Sequence, residues 1–321
     1  ARPGPGTERG LCGPGMAAAP GPSPPPPRPE RLLTLQHNSW VTSLCLDVDL
    51  LAAASNDGAV GIWRVPAGEQ LLSLRHEQPV TAVALHNNFL ACGSLDATVA
   101  VWGLPAGERL QTLRHARAVG AVALRGDVLA SGSDDGCVAL WGLPGGERLA
   151  EVRHEDAVGA LALEGDVLAS GSDDNTAAVW ALPGGERLLS LRHEGWVCSV
   201  AMQQGELLAT ACSDKTVALW RLPGGERLRR IRFQDIVFSL ALAGPLLACG
   251  ARDGVVSLLG LPDLRLLLGF EHDPPESQRP GAEQEPHPIH AVALRGNLLA
   301  CAPADLSTVL WRLPDGLGEP A

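Results

Sequence analysis

From residue 31 to residue 313 the apolar positions fall in short runs, with Gly, Asp, Asn and Pro punctuating the gaps. One stretch shows the unit: Val158 to Leu163, Val167 to Ser172, Thr176 to Leu182 and Arg187 to Arg192 each read as a β segment. The unit recurs. Asp57, Asp96, Asp135, Asp174, Asp214, Asp253 and Asp305 follow one another every 39 or 40 residues until the last interval. Each stands six residues before Trp63, Trp102, Trp141, Trp180, Trp220, Leu259 or Trp311. A second series, His37, His76, His115, His154, His193, Phe233 and His272, runs beside it. Four strands in a period of about 40 residues predict a propeller blade, and seven copies predict an all-β ring of seven blades.

Strand order predicts how the ring closes. A segment like Arg187 to Arg192 precedes each member of the His series; the first, Arg31 to Gln36, comes before any Trp of the series, and none follows Trp311. Residues 31–36 are therefore expected to complete the seventh blade, which removes two sheet edges. Between third and fourth strands the motif Leu-Pro-(Gly/Ala)-Gly-Glu-Arg recurs at Leu104, Leu143, Leu182 and Leu222. Pro fixes φ and Gly permits unusual values, as a tight turn requires. The Glu and Arg read as a solvated rim.

Composition bounds the rest. Blades bury their apolar faces unit against unit, so one closed domain over 31–314 is expected, with a loop insertion at 273–288 and a tail at 315–321. Residues 1–30 are rich in Pro, Gly and Ala, with prolines throughout 24–27, and read as a disordered segment. The stretch Met16-Ala-Ala-Ala resembles an initiator context, which leaves open whether residues 1–15 are native. The net charge of −11, with no clustered Lys and Arg, disfavours nucleic acid as a partner. No apolar run approaches the roughly 18 residues that span a bilayer, and no secretory-signal stretch opens the chain, so a protein without membrane partners, intracellular in the cytoplasm or nucleus, is expected. The eight cysteines agree: Cys92, Cys249 and Cys301 share a repeat position where other units carry Ser131, Ser170 or Thr210, and no Cys-x-x-Cys pair suggests zinc.

The run Leu168-Ala-Ser-Gly-Ser-Asp-Asp-Asn-Thr-Ala-Ala-Val-Trp180, preceded by His154, resembles the WD-repeat (WD40) family over residues 31 to 313. The resemblance implies a seven-bladed WD40 β-propeller closed by its N-terminal strand, a monomer serving as a platform for protein–protein contacts in an intracellular complex, with no cofactor. Fold alone does not fix function. A Ser, a His and an Asp in nearly every unit raise a hydrolase reading, but a catalytic set is needed once, not seven times. The resemblance assigns them instead to a hydrogen-bond network within each blade. Two units hold the full set: His115, Ser131 or Ser133, Asp135 and Trp141; then His154, Ser170 or Ser172, Asp174 and Trp180. Unit six, with Phe233 and Leu259, leaves Asp253 without its usual partners. Histidines spaced around a ring lie too far apart to share an ion at roughly 2 Å, and the close pair His287 and His290 reads as loop residues, so no metal site and no catalytic residue are expected.

Trp40 and Trp196 break the blade pattern, each three residues after its His and next to an inner strand. By resemblance their loops open on the narrow face, together with Pro79, Ala118, Ala157, Ile236 and Pro288. Trp40, Trp196, Arg117 and Ile236 are the candidate partner-binding residues, weighed against simple packing between loops. Glu77, Glu155, Asp156, Glu194 and Asp235 make this face mainly acidic, which favours a partner segment carrying Arg or Lys. Short turns between the first two strands, as at Leu124 to Val128 and Leu163 to Val167, resemble the propellers of F-box/WD ubiquitin-ligase receptors. That reading implies a Skp1 and cullin complex and requires an F-box, which residues 1–30 cannot supply. The rival class is a propeller enzyme with its site at the channel mouth.

Overall fold

The computed structural model describes residues 28–272 and 287–317. Among them are 28 strands in seven four-stranded antiparallel sheets, and no helix. Most of the 1–30 segment, the insertion 273–288 up to residue 286 and the end of the tail lie outside the described residues. The fourth blade matches the sequence segments closely: β14 (Val158–Glu164), β15 (Val167–Ser172), β16 (Thr176–Ala181) and β17 (Glu186–Arg192). β15 is buried at nearly every position because blades cover both its faces. β17, at the circumference, alternates between solvent and the neighbouring blade.

Seven apolar clusters fill the spaces between blades, not within them. Close approach constrains the second strand of a blade: a Cβ on Gly171 would lie 2.6 Å from Val197 Cγ1 of the next blade. The ring closes as the strand order requires. β1 (Glu30–Gln36) pairs antiparallel with β28 (Ser307–Arg312), beside β27 (Leu298–Pro303) and β26 (Ile289–Arg295). Leu33 and Leu35 of β1 pack on the cluster joining blade seven (Ala291, Ala300, Leu310) to blade one (Val41, Leu51, Trp63). His37 adds a stitch, its Nε2 lying 2.9 Å from Thr308 Oγ1 on β28.

The turns after the third strands carry Gly107, Gly146, Gly185 and Gly225 at φ 71–77°, and in unit six Leu264 takes that conformation at φ 54°. Leu264 does so with its side chain buried against the fifth and sixth blades. The Arg after each of these glycines is no mere rim residue. Arg109, Arg148, Arg187 and Arg227 each hold the guanidinium 5.3–5.9 Å from the ring centre of Trp102, Trp141, Trp180 or Trp220. A bulge pairs each of these Arg residues with its Trp across the strands, setting the cation over the indole face.

Candidate functional site

The blade network is complete in blade four. His154 Nδ1 donates to Asp174 Oδ2 (2.9 Å), Ser170 Oγ bonds His154 Nε2 (2.7 Å), and Trp180 Nε1 donates to the same hydroxyl (2.7 Å). Thr176 Oγ1 donates to Asp174 Oδ1 (2.6 Å) and turns the other carboxylate oxygen toward His154. These bonds hold the Asp174 carboxyl below the ordinary range against the opposing effect of burial. The arrangement has the connectivity of a Ser-His-Asp triad, yet Ser170 is fully buried and its Oγ is committed to Trp180. A nucleophile there has no path to a substrate.

Elsewhere the network thins, for readable reasons. In blade three Ser131, not Ser133, bridges His115 (2.7 Å) and Trp141 (2.8 Å), while Ser133 Oγ donates to the Arg117 carbonyl. Asp135 accepts the Cys137 backbone N–H but makes no bond to His115. In blade two the bridging place holds Cys92, and His76 Nε2 and Trp102 Nε1 are buried with no partner among the described residues. In blade five Arg230 donates to Asp214 Oδ2 (2.7 Å) where blade four uses histidine. His193 Nε2 is left buried with no partner among the described residues, and burial drives its pKa down to about 4. Asp253, half-buried, accepts only the Val255 N–H.

The loop face collects the candidate binding residues. The carbonyls of Trp40, Pro79, Ala118, Ala157, Trp196, Ile236 and Pro288 each accept a backbone N–H from the residue after the second strand of the same blade: Asn56, Leu95, Asp134, Asp173, Ser213, Arg252 and Ala304. Two rings of side chains are thereby locked to one end of the propeller. Trp40 is 56% exposed and Trp196 50%, Arg117 is exposed, and Ile236 is half-buried. Sequence reasoning missed the second ring, which adds Leu95, 51% exposed, and the exposed pair Asp134 and Asp173. Burial, then Asp156, Asp134 and Asp174, raise the Asp173 carboxyl above the usual range. Two of the expected acids are already neutralised, Asp235 by Lys215 (3.3 Å) and Glu194 by Arg230 (3.3 Å). Asp134, Asp156 and Asp173 have no ion-pair partner among the described residues.

Inside these rings the channel holds a cavity of about 240 Å³. Its wall includes Thr42, Thr81, Gly120, Gly159, Cys198, Phe238 and His290. Phe238 and His290, on the inner strands of neighbouring blades, stack on this wall with ring centres 6.2 Å apart. The channel serines are engaged: Ser43, Ser199 and Ser239 accept the N–H of Val83, Leu240 and Val292 in the next blade.

Seven four-stranded blades in a ring, one of them tied by a full set of His, Ser, Asp and Trp bonds, define a repeat propeller. The chain belongs to the WD40 family: the profile of the WD domain, G-beta repeat, matches residues 29–64, 68–103, 107–142, 146–181 and 185–221. Unit six, which has lost both His and Trp, lies beyond the matched range. No curated protein matches the chain in sequence. Among solved structures, the computationally designed Ika8 protein is similar in fold, with a TM-score of 0.69 at 21% identity over 88% of this chain and 100% of that one.

Proposed function

We propose that this WD40 propeller is a non-catalytic platform whose loop face docks a protein segment presenting Arg or Lys. The observation that carries the reading is the exposure of two indoles, Trp40 and Trp196, at equivalent positions in blades one and five, on the loop face that also carries Asp134, Asp156 and Asp173, which have no ion-pair partner among the described residues. An indole gives a partner a large apolar surface at low entropic cost, and uncompensated carboxylates select a cation and steer it in. A phosphorylated segment would meet repulsion from Asp134, Asp156 and Asp173.

Fluorescence anisotropy with short Arg- and Lys-bearing peptides and their phosphorylated counterparts tests this. Trp40→Ala and Trp196→Ala should each weaken basic-peptide binding by about 2 kcal/mol, roughly 30-fold, with little change in melting temperature. Preferential binding of the phosphorylated peptides, or loss of stability in place of binding, would overturn it. The two-residue turn at Gly126 and Asp127 between inner strands supports a narrower assignment, the substrate receptor of an F-box/WD ubiquitin ligase. Recovery of Skp1 and cullin with the protein from cells would support that assignment and the intracellular location it requires.

A further inference from the structure

Blade three departs from blade four at one residue with chemical consequences. Where Thr176 donates to Asp174, blade three has Cys137, a thiol that makes no bond to Asp135. The side chains of His115, Asp135 and Cys137 converge with no side-chain hydrogen bond among the three. The ligand atoms of these three residues lie within 4.8 Å of one another, and no other His, Cys, Asp or Glu set of this kind occurs among the described residues.

We propose that His115, Asp135 and Cys137 bind a divalent zinc-like ion. Imidazole, carboxylate and thiolate are the three donor types zinc takes in proteins, at about 2.0–2.3 Å. Tetrahedral ligands at those lengths stand roughly 3.5 Å apart, so side-chain adjustments of about 1 Å close the shell, with water as the fourth ligand. The surroundings suit the ion. Ser131 accepts Trp141 Nε1–H and is 2.7 Å from His115 Nε2, so it can take the imidazole proton on that nitrogen and leave Nδ1 free to ligate. Arg148 Nη2 donates to Cys137 Sγ at 3.3 Å, an outer contact that favours a thiolate, whereas burial and then Glu151, 2.7 Å from Arg148, push the thiol up to about 11, so the metal itself must displace the proton. Binding transfers the thiol proton to solvent as the sulfur–metal bond forms. Sequence spacing hides the set, because His115 is 20 residues from Asp135 and Cys137 replaces a residue type that ligates nothing.

The test uses the full chain, stripped with a chelator and titrated with Zn²⁺ or Co²⁺, and does not depend on the docking reading. One equivalent should bind, Co²⁺ should give a thiolate charge-transfer band, and Zn²⁺ should raise the melting temperature. Cys137→Thr, which installs the residue of blade four, should abolish the band and weaken Zn²⁺ binding about 100-fold or more, beyond the cost of losing an outer-shell partner. Cys137→Ser replaces it if the threonine variant does not fold. Absence of stoichiometric binding, a Co²⁺ spectrum without thiolate character, or a band that survives in both variants would overturn the proposal.

Discussion

Blade two invites repair. Its bridging position holds Cys92, fully buried, and leaves His76 Nε2 and Trp102 Nε1 without partners among the described residues. In blades three and four one hydroxyl at this position meets both groups at 2.7–2.8 Å. Cys92→Ser should therefore form two buried hydrogen bonds. Each contributes about 0.5–1 kcal/mol, and exchanging sulfur for oxygen costs a few tenths of a kcal/mol in apolar burial, leaving a net gain of about 1 kcal/mol. For a domain of this size that raises the melting temperature by about 2–4 °C. Seven cooperating blades need not unfold in one step, so the comparison belongs to calorimetric midpoints at one scan rate. Ser170→Cys, the reverse change in blade four, should lower the midpoint. If the serine variant melts at or below the parent while Ser170→Cys is destabilised, the bridging hydroxyl is not what the orphaned nitrogens lack.

Asp174→Ala should cost more stability than Asp253→Ala, by about 1–3 kcal/mol in denaturant melts, because Asp174 serves His154, Thr176 and the Glu155 N–H while Asp253 serves one N–H; the reverse order refutes it. Removing residues 1–28 should leave the melt nearly unchanged, whereas removing 1–37 takes β1 and the packing of Leu33 and Leu35, worth about 1.5–3 kcal/mol per leucine at full burial; equal midpoints would contradict closure by β1. Burial places the folded His193 pKa near 4, below its unfolded value of about 6.5, so the unfolded chain takes up a proton first and stability falls as pH drops from 6.5 to 4. His193→Phe should make that decline shallower, with slopes read from melts across the interval; an unchanged slope would clear His193 of the effect.

The architecture was legible because its signals repeat: Asp and Trp spacing locate each turn and third strand, and an unmatched segment at 31–36 locates the closing strand. The hydroxyl was not. Ser131 and Ser133 are two apart in one strand, so both point to the same face, and only the facing Trp141 distinguishes them. Arg230 was equally hidden, since it reaches Asp214 from a fourth strand where arginines are ordinarily solvated. Trp40 and Trp196 were legible because they broke the repeat. Asp134 and Asp173 were not, since an acid beside the recurring turn Asp looks like part of the turn.

The pairing of Glu30 with Arg312 sets the two ends of the ring one residue pair apart in a single blade. A short linker joining them would let the chain be reopened in a turn within another blade, such as that at Gly184 between β16 and β17, where a Cβ would meet nothing within 4 Å. Such a circular permutant would place its new ends on a different blade while leaving every inter-blade contact, and both indoles of the loop face, where they are. Any domain fused to the ends could thus be stationed at a chosen point around the circumference.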